Sequence, residues 1–250
     1  MIDPRHGHAL ETFFGVADAV AEVLRANTAW GASGLRLGQY AVDLDADRAC
    51  LEGLLPAGFS VLSEESGLQG LSGRPVVVVD PLDGSTNASR GVPWFGTALC
   101  LVDDDGPAVG CVANHATGER FTAIRGHGAE RDGAAISVSA CEALGDALVG
   151  VSGLPDHHYG WAQFRAFGAS APDICAVASG TLDAWCDMSI DAHGVWDYLA
   201  SVLILEEAGG VAAEVGGRDL VVLDHAARRT PAVASTPGLL EAVLAERRRP

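Results

Sequence analysis

Apolar residues recur at helical spacing over residues 9–26, where Leu10, Phe13, Val16, Val20, Val23 and Leu24 share one face, and this periodicity predicts an amphipathic helix. A second helix is predicted over 45–55, with Ala49, Leu51, Leu54 and Leu55 on its buried side. From Phe59 the period changes. Short apolar runs at 60–62, 76–79, 96–102, 109–114 and 119–124 are separated by turn chemistry such as Asp103-Asp104-Asp105-Gly106, and they read as largely antiparallel strands. After about residue 140 the elements alternate: a strand at 147–151, a helix at 172–179, a strand at 182–187, a helix at 196–208, short strands near Val211 and Ala232, and a last helix from Pro237. No repeat or low-complexity linker interrupts them. The pattern predicts one continuous α+β unit of two closely packed halves, residues 1–140 and 141–250.

Composition narrows the function. The chain has 250 residues, 48% apolar and 20% charged, enough for a sizeable core. Thirty-three acidic residues against sixteen basic ones give a net charge of -17, which repels nucleic acid and anionic membrane surfaces. The one basic run, Arg247 to Arg249, reads as cations complementing the C-terminus of the last helix. Residues 1–14 hold no uninterrupted apolar h-region, and no later stretch is long and apolar enough for a membrane span, so a soluble cytoplasmic protein is expected. Six cysteines lack CxxC pairs and zinc-ligand spacing; they are expected to be reduced and mostly buried.

One stretch departs from the ordinary pattern: VVVVDPLDGSTN, Val76 to Asn87. A buried strand would deliver Asp80 at its C-terminal end, Pro81 would stop the ladder, and Gly84 would allow a tight turn before Ser85-Thr86-Asn87 opens a short helix. Paired carboxylates favour a divalent cation, whereas the N–H groups of a helix start favour an anion. A site that wants both is a metal-plus-phosphate site. Further acidic groups stand at Asp47, at Glu64 and Glu65 in SEES, and at Asp197 in Val195-Trp196-Asp197. An EF-hand is excluded: counted from Asp80 the glycine falls one place early, and counted from Asp43 the sixth and twelfth positions are Arg48 and Leu54. DLDAD at 43–47 has the look of an aspartyl-phosphate nucleophile loop of the haloacid-dehalogenase type, but the preceding LRLGQYAV is only partly apolar where that loop follows a buried strand.

SEES, DPLDGSTN and VWDYLAS, in that order and at those separations, resemble the motifs of the inositol monophosphatase family, magnesium-dependent and lithium-sensitive sugar-phosphate phosphatases. The likeness extends through GASAPDICAVASGTLDAWCD before Asp197. It implies a layered α-β-α-β-α sandwich of the sugar phosphatase type and a homodimer. It also implies Glu64, Asp80, the Leu82 carbonyl, Asp83 and Asp197 as ligands of two or three Mg²⁺ ions. Ser85, with Glu64, would orient the attacking water, and Asp47 would be the acidic partner of that hydroxyl. Gly84, Ser85 and Thr86 would hold the phosphate; Gly168, Ala169 and Ser170 would approach the organic part of the substrate, with Asp187 against one of its hydroxyls.

Physical chemistry supports this reading independently. A phosphate monoester dianion repels nucleophiles, so divalent ions are needed to neutralise its oxygens and to lower the pKa of water, and hard oxygen donors suit Mg²⁺ better than zinc. The expected substrate is a small polyol or sugar phosphate such as inositol 1-phosphate; histidinol phosphate, fructose 1,6-bisphosphate and 3'-phosphoadenosine nucleotides are alternatives within the superfamily, and a non-catalytic phosphosugar or metal sensor is the alternative from another class. Departures from the family pattern fall at Arg36, Leu44 and Ala88, and in residues 153–164, where His157, His158, Tyr159 and Trp161 cluster. His157 and His158 are expected to be loop residues rather than ligands.

Overall fold

The computed structural model describes residues 2–28, 30–36 and 38–248. Helix α1 (Pro4–Ala26) begins more than a turn before its apolar periodicity, because the Asp3 carboxylate accepts the Arg5 N–H at 2.8 Å and Pro4 occupies the first helical positions. Helix α2 (Ala41–Leu54) also starts a turn ahead of the expected 45–55. The Asp43 carboxylate folds back to accept the Tyr40 N–H at 2.8 Å and so fixes its start.

Eight strands follow: β1 (Ser60–Ser63), β2 (Gly67–Gln69), β3 (Val76–Asp83), β4 (Gly96–Asp103), β5 (Gly106–Asn114), β6 (Arg120–Ile124), β7 (Ala129–Arg131) and β8 (Ala134–Ala135). They form one sheet in the order β2-β1-β3-β4-β5-β6-β7-β8, antiparallel except for the β1–β3 pair. Helix α3 (Ser85–Arg90) leaves the end of β3. A second sheet contains β9 (Leu148–Ser152), β10 (Gln163–Arg165), β11 (Ala184–Asp187), β12 (Val211–Glu214) and β13 (Pro231–Ala234), in the order β10-β9-β11-β13-β12. Its companions are α4 (Ser170–Ala178), α5 (Leu199–Glu207) and α6 (Pro237–Arg247).

The alternation of side chains across β3 explains the layering. Val77 and Val79 pack on Phe13 and Val16 of α1 and Leu54 of α2. Val78 turns the other way, into a core with Ile174 of α4 and Leu199 and Ile204 of α5. That middle core continues to Trp185 and Val233 of the second sheet, whose far face is covered by Leu239, Leu240 and Val243 of α6. The result is an α-β-α-β-α sandwich in which α4 and α5 are shared by both sheets. Each fully buried valine contributes about 1.5–3 kcal/mol, so the run before Asp80 anchors the strand that delivers the charges.

Two local expectations change. Pro81 does not end the ladder: pairing resumes at Asp83 opposite Gly96 after an irregularity between Asp80 and Asp83. Proline is tolerated at such a bulge because no ladder N–H is required there, and its carbonyl accepts the Thr97 hydroxyl at 2.8 Å. Asp197 lies in a 3₁₀ turn, Val195–Asp197, ahead of α5 rather than in the first turn of a continuous helix. The basic run also has a more specific use. Arg247 donates to the carbonyls of Asp187, Met188 and Ser189, and Arg248 to that of Val215; Arg249 lies outside the described residues. Among the described residues all six cysteines are free, five of them buried, and no helix is long and apolar enough to cross a membrane.

Gly110 of β5 lets α5 approach closely, since a Cβ there would lie 2.8 Å from the Ala200 carbonyl oxygen. Gly110→Val is expected to destabilise the fold by about 1–3 kcal/mol through overpacking, whereas Gly126→Ala, with open space around its Cβ but φ +77°, incurs only the smaller cost of its backbone conformation. Urea titration of both variants checks the order.

Candidate active site

Asp80 stands at the bulge of β3, fully buried, with its Oδ1 accepting the Leu82 N–H at 3.0 Å. Asp83 follows three residues on, and its Oδ2 accepts the Ala171 N–H from the first turn of α4 at 2.7 Å. Asp197 is fixed by the Gly194 N–H, 2.7 Å from its Oδ2. Glu64 follows directly after β1. Parallel pairing of β1 with β3 puts both strand ends at one edge, and ligand oxygens of Glu64, Asp80 and Asp197 lie within 4.8 Å of one another. Three segments remote in sequence thus present carboxylates to one point.

That proximity has an electrostatic signature. Enclosure in the cleft, then Asp197 and Glu65, push Glu64 up to about 8. Burial, then Glu64 and Asp83, push Asp80 well above the carboxylate range; burial, then Asp197, do the same for Asp83; burial raises Asp197. Each group therefore resists ionising beside the others, and a divalent cation among them would remove the conflict. Clustered carboxylate oxygens are the donor set of a hard divalent cation.

A cleft of about 190 Å³ opens on this cluster, lined by Arg36, Gln39, Asp43, Glu64, Leu82 and Ser85, among others. Arg36 bridges Glu64 at 3.1 Å and Glu65 at 3.0 Å, and Gln39 also donates to Glu65. Asp43 and Ser85 both line this cleft, and Asp47 is not among its lining residues. Asp47 lies one helical turn further along α2, where its Oδ1 accepts the hydroxyls of Ser63 at 2.5 Å and Ser66 at 3.2 Å. Asp43 has one oxygen on the Tyr40 N–H and the other, Oδ1, buried with no hydrogen-bond partner among the described residues; burial lifts its pKa to about 6. Placement of 41–54 in a helix also removes the aspartyl-phosphate loop reading of DLDAD.

The turn after β3 has the expected form. Gly84 adopts φ +81°, and a Cβ there would come within 2.9 Å of the Ala169 Cβ, so the motif and the 168–170 segment press together only because this position is bare. Asn87 fastens the same contact by donating to the carbonyls of Trp94 at 2.8 Å and Phe167 at 2.7 Å. Ser85 lines the cleft and Thr86 is exposed at the start of α3.

Asp187 is completely buried, with Oδ1 on the Ser189 N–H at 2.8 Å and Oδ2 on His193 Nδ1 at 2.8 Å. His193 Nε2 in turn meets the Ser170 hydroxyl at 2.8 Å. Burial lowers the His193 pKa, but the Asp187 hydrogen bond and the charges of Asp197 and Asp83 outweigh it and hold the group above its ordinary value. His193 has no motif to announce it; only the fold brings it between Ser170 and Asp187. His157 and His158 stay out of the acidic cluster: His157 stacks on Tyr159 with ring centroids 4.1 Å apart, and His158 Nδ1 accepts the Gly160 N–H.

Comparison with known proteins agrees with this geometry. Residues 39–249 match the sequence profile of the inositol monophosphatase family. A fructose-1,6-bisphosphatase/inositol-1-monophosphatase of Archaeoglobus fulgidus is 36% identical over 184 residues, covering 72% of this chain and 71% of the relative. The Nus factor SuhB of Pasteurella multocida is 30% identical over 202 residues, covering 74% and 72%. Among solved structures, a Pyrococcus horikoshii protein with similarities to inositol-1 monophosphatase superposes with a TM-score of 0.84 at 22% identity, covering 98% of this chain and 99% of that one.

The raised carboxylates fix the sign of a pH effect. Glu64 in the folded chain holds a proton up to about pH 8 that the unfolded chain releases near its ordinary 4.5, so the cation-free protein loses stability as pH rises through that window. In excess chelator, Tm is expected to fall between about pH 5 and about pH 8, to fall less in Glu64→Gln, and to be restored by Mg²⁺ chiefly at the upper end. Thermal melts with and without the cation check this; a wild-type slope no steeper than that of Glu64→Gln would contradict it.

Proposed function

The chain belongs to the inositol monophosphatase family and is a phosphoric monoester hydrolase; from that premise we propose that it hydrolyses a small polyol or sugar phosphate with the help of Mg²⁺. Glu64, Asp80, Asp83 and Asp197, with the Leu82 carbonyl, are the proposed ligands of two or three ions. The observation that carries this is the meeting of Glu64, Asp80 and Asp197 oxygens within 4.8 Å, with burial and mutual charge opposing their ionisation. Bound divalent cations neutralise phosphate oxygens, acidify the attacking water and stabilise the leaving alkoxide.

The chain's own groups do the rest. The Ser85 hydroxyl is proposed to donate a hydrogen bond to Asp43, whose Oδ1 has no partner at the wall of the same cleft, or to Asp47 as the resemblance implies; the Ser85 oxygen and the Glu64 carboxylate then accept from the water and orient it for in-line attack. Gly84, Ser85 and Thr86 receive the phosphate with their N–H and hydroxyl donors. Gly168, Ala169 and Ser170 border the leaving alcohol. With Asp187 sealed behind His193, the hydroxyls of that alcohol meet Ser170 instead.

Burial of Tyr159 at 5% exposure and Trp161 at 4%, packed in the core under α6, leaves them unavailable to stack on an adenine or imidazole. A polyol or sugar is therefore favoured over 3'-phosphoadenosine compounds and histidinol phosphate. Fructose 1,6-bisphosphate stays as the second reading because the Archaeoglobus relative's name includes that activity. A purely binding role is disfavoured by the proposed water-orienting pair, Glu64 and Ser85, which ligand binding alone does not require. The proposed assembly is a homodimer, consistent with the exposed edge strand β10.

Side-by-side kcat/KM values for inositol 1-phosphate, fructose 1,6-bisphosphate, histidinol phosphate and 3'-phosphoadenosine 5'-phosphate test the substrate. A tenfold preference for the adenine compound would overturn the polyol assignment while leaving the hydrolase standing. Asp43→Asn is expected to cut kcat by roughly a hundredfold with Tm retained. Asp47→Asn is expected to act mainly on stability, by about 1–3 kcal/mol, through the Ser63 and Ser66 hydroxyls. Equal kcat losses with unchanged Tm in both would show that the water-orienting role is not specific to Asp43.

A further inference from the structure

Glu64 and Asp197 come from opposite ends of the chain and repel each other, so some part of the fold must set the gap between them. The connection from β12 to β13, residues 215–230, runs back to the loop after β1. There His225 Nε2 lies 3.0 Å from the main-chain carbonyl oxygen of Glu64. A carbonyl only accepts, so this nitrogen carries the proton and donates. The same imidazole packs on the Trp196 ring, centroids 4.8 Å apart at 34°, and Trp196 is the residue immediately before Asp197. Arg228 covers Trp196 with its guanidinium carbon 5.1 Å from the ring centroid, while its own hydrogen bonds to the carbonyls of His225 and Ala227, 2.9 and 2.8 Å, stiffen the loop. The next residue, Arg229, exchanges backbone hydrogen bonds with His193 at 2.9 and 3.2 Å. The Trp196 ring lies over Gly194, where only the lack of a side chain leaves room for it: a Cβ there would come within 2.4 Å of the ring.

We propose that His225, Trp196 and Arg228 form a clamp that sets the separation of Glu64 and Asp197 to suit a divalent cation. His225 is then a positioning residue: it touches neither substrate nor ion, and it acts by holding the Glu64 main chain against the turn that bears Asp197. The inference rests on the reading of those two carboxylates as metal ligands. Its consequence is specific. Loss of the His225 donor loosens one ligand relative to the other without emptying the core, so cation affinity falls while the fold persists.

The experiment uses the full chain and Mn²⁺ as probe, with binding measured by calorimetry and Tm measured separately in excess chelator. His225→Phe keeps a ring on Trp196 but removes the donor; His225→Gln places an amide N–H near the same point. The expected result is Mn²⁺ binding weakened about tenfold or more in His225→Phe, recovery to within about threefold of wild type in His225→Gln, and chelated Tm values close to wild type in both. Arg228→Met, which removes the cation over Trp196, is expected to weaken binding as well and keeps the test open should His225→Phe fold poorly. Wild-type affinity in His225→Phe, or equal weakening in His225→Phe and His225→Gln, overturns the clamp. Absence of Mn²⁺ binding in wild type overturns the metal reading on which it stands, a different result from the first.

Discussion

Three carboxylates, Glu64, Asp80 and Asp197, are held within 4.8 Å of one another with Asp83 close enough to oppose the ionisation of Glu64 and Asp80, and much of what is distinctive in this fold serves to hold them there. Asp80 and Asp83 are forced together by a three-residue spacing across a strand bulge, Glu64 arrives by parallel pairing of β1 with β3, and Asp197 is pinned by the Gly194 N–H. Backbone N–H groups of Leu82, Ala171 and Gly194 each supply one oriented donor to a carboxylate. Those donors stabilise the ionised forms only in part, which is why burial and like charge still dominate. Apolar packing of β3 on both faces supplies the stability that the cluster costs.

The two sheets are not independent scaffolds that happen to adjoin. The α4 and α5 helices pack on both, and polar ties cross the same boundary: Asn87 to the Phe167 carbonyl, Asp83 to the Ala171 N–H, His225 to the Glu64 carbonyl. Each tie joins a residue of the catalytic motifs to a segment far along the chain. A movement of one sheet relative to the other would therefore be felt first at the site. Gly84 adds a steric version of the same dependence, because any side chain there would push Ala169 away.

How much of this was legible in the sequence depends on the range of the interactions involved. The valine run and the DPLDGSTN motif are readable because strand burial and turn chemistry are local, whereas the meeting of Glu64, Asp80 and Asp197 within 4.8 Å is seen only in the fold. The start of α2, a turn ahead of the apolar period, is set by the Asp43 side chain folding back on Tyr40, which periodicity does not show. Pro81 was expected to break a strand that a bulge preserves. The burial of Asp187 and its bond to His193 depend on contacts that no spacing in the chain reveals. The 215–230 loop has neither periodicity nor motif; its role is visible only when His225 is seen against Glu64 and Trp196.

The central claim is that the carboxylates converge in order to hold divalent cations. Its most direct measurement is an anomalous difference map from crystals of the full chain grown with Mn²⁺. The account predicts peaks bounded by Glu64, Asp80 and Asp197, with Asp83 and the Leu82 carbonyl completing the ligand shell. A map of a hydrolytically active crystal with no peak between those residues would contradict it.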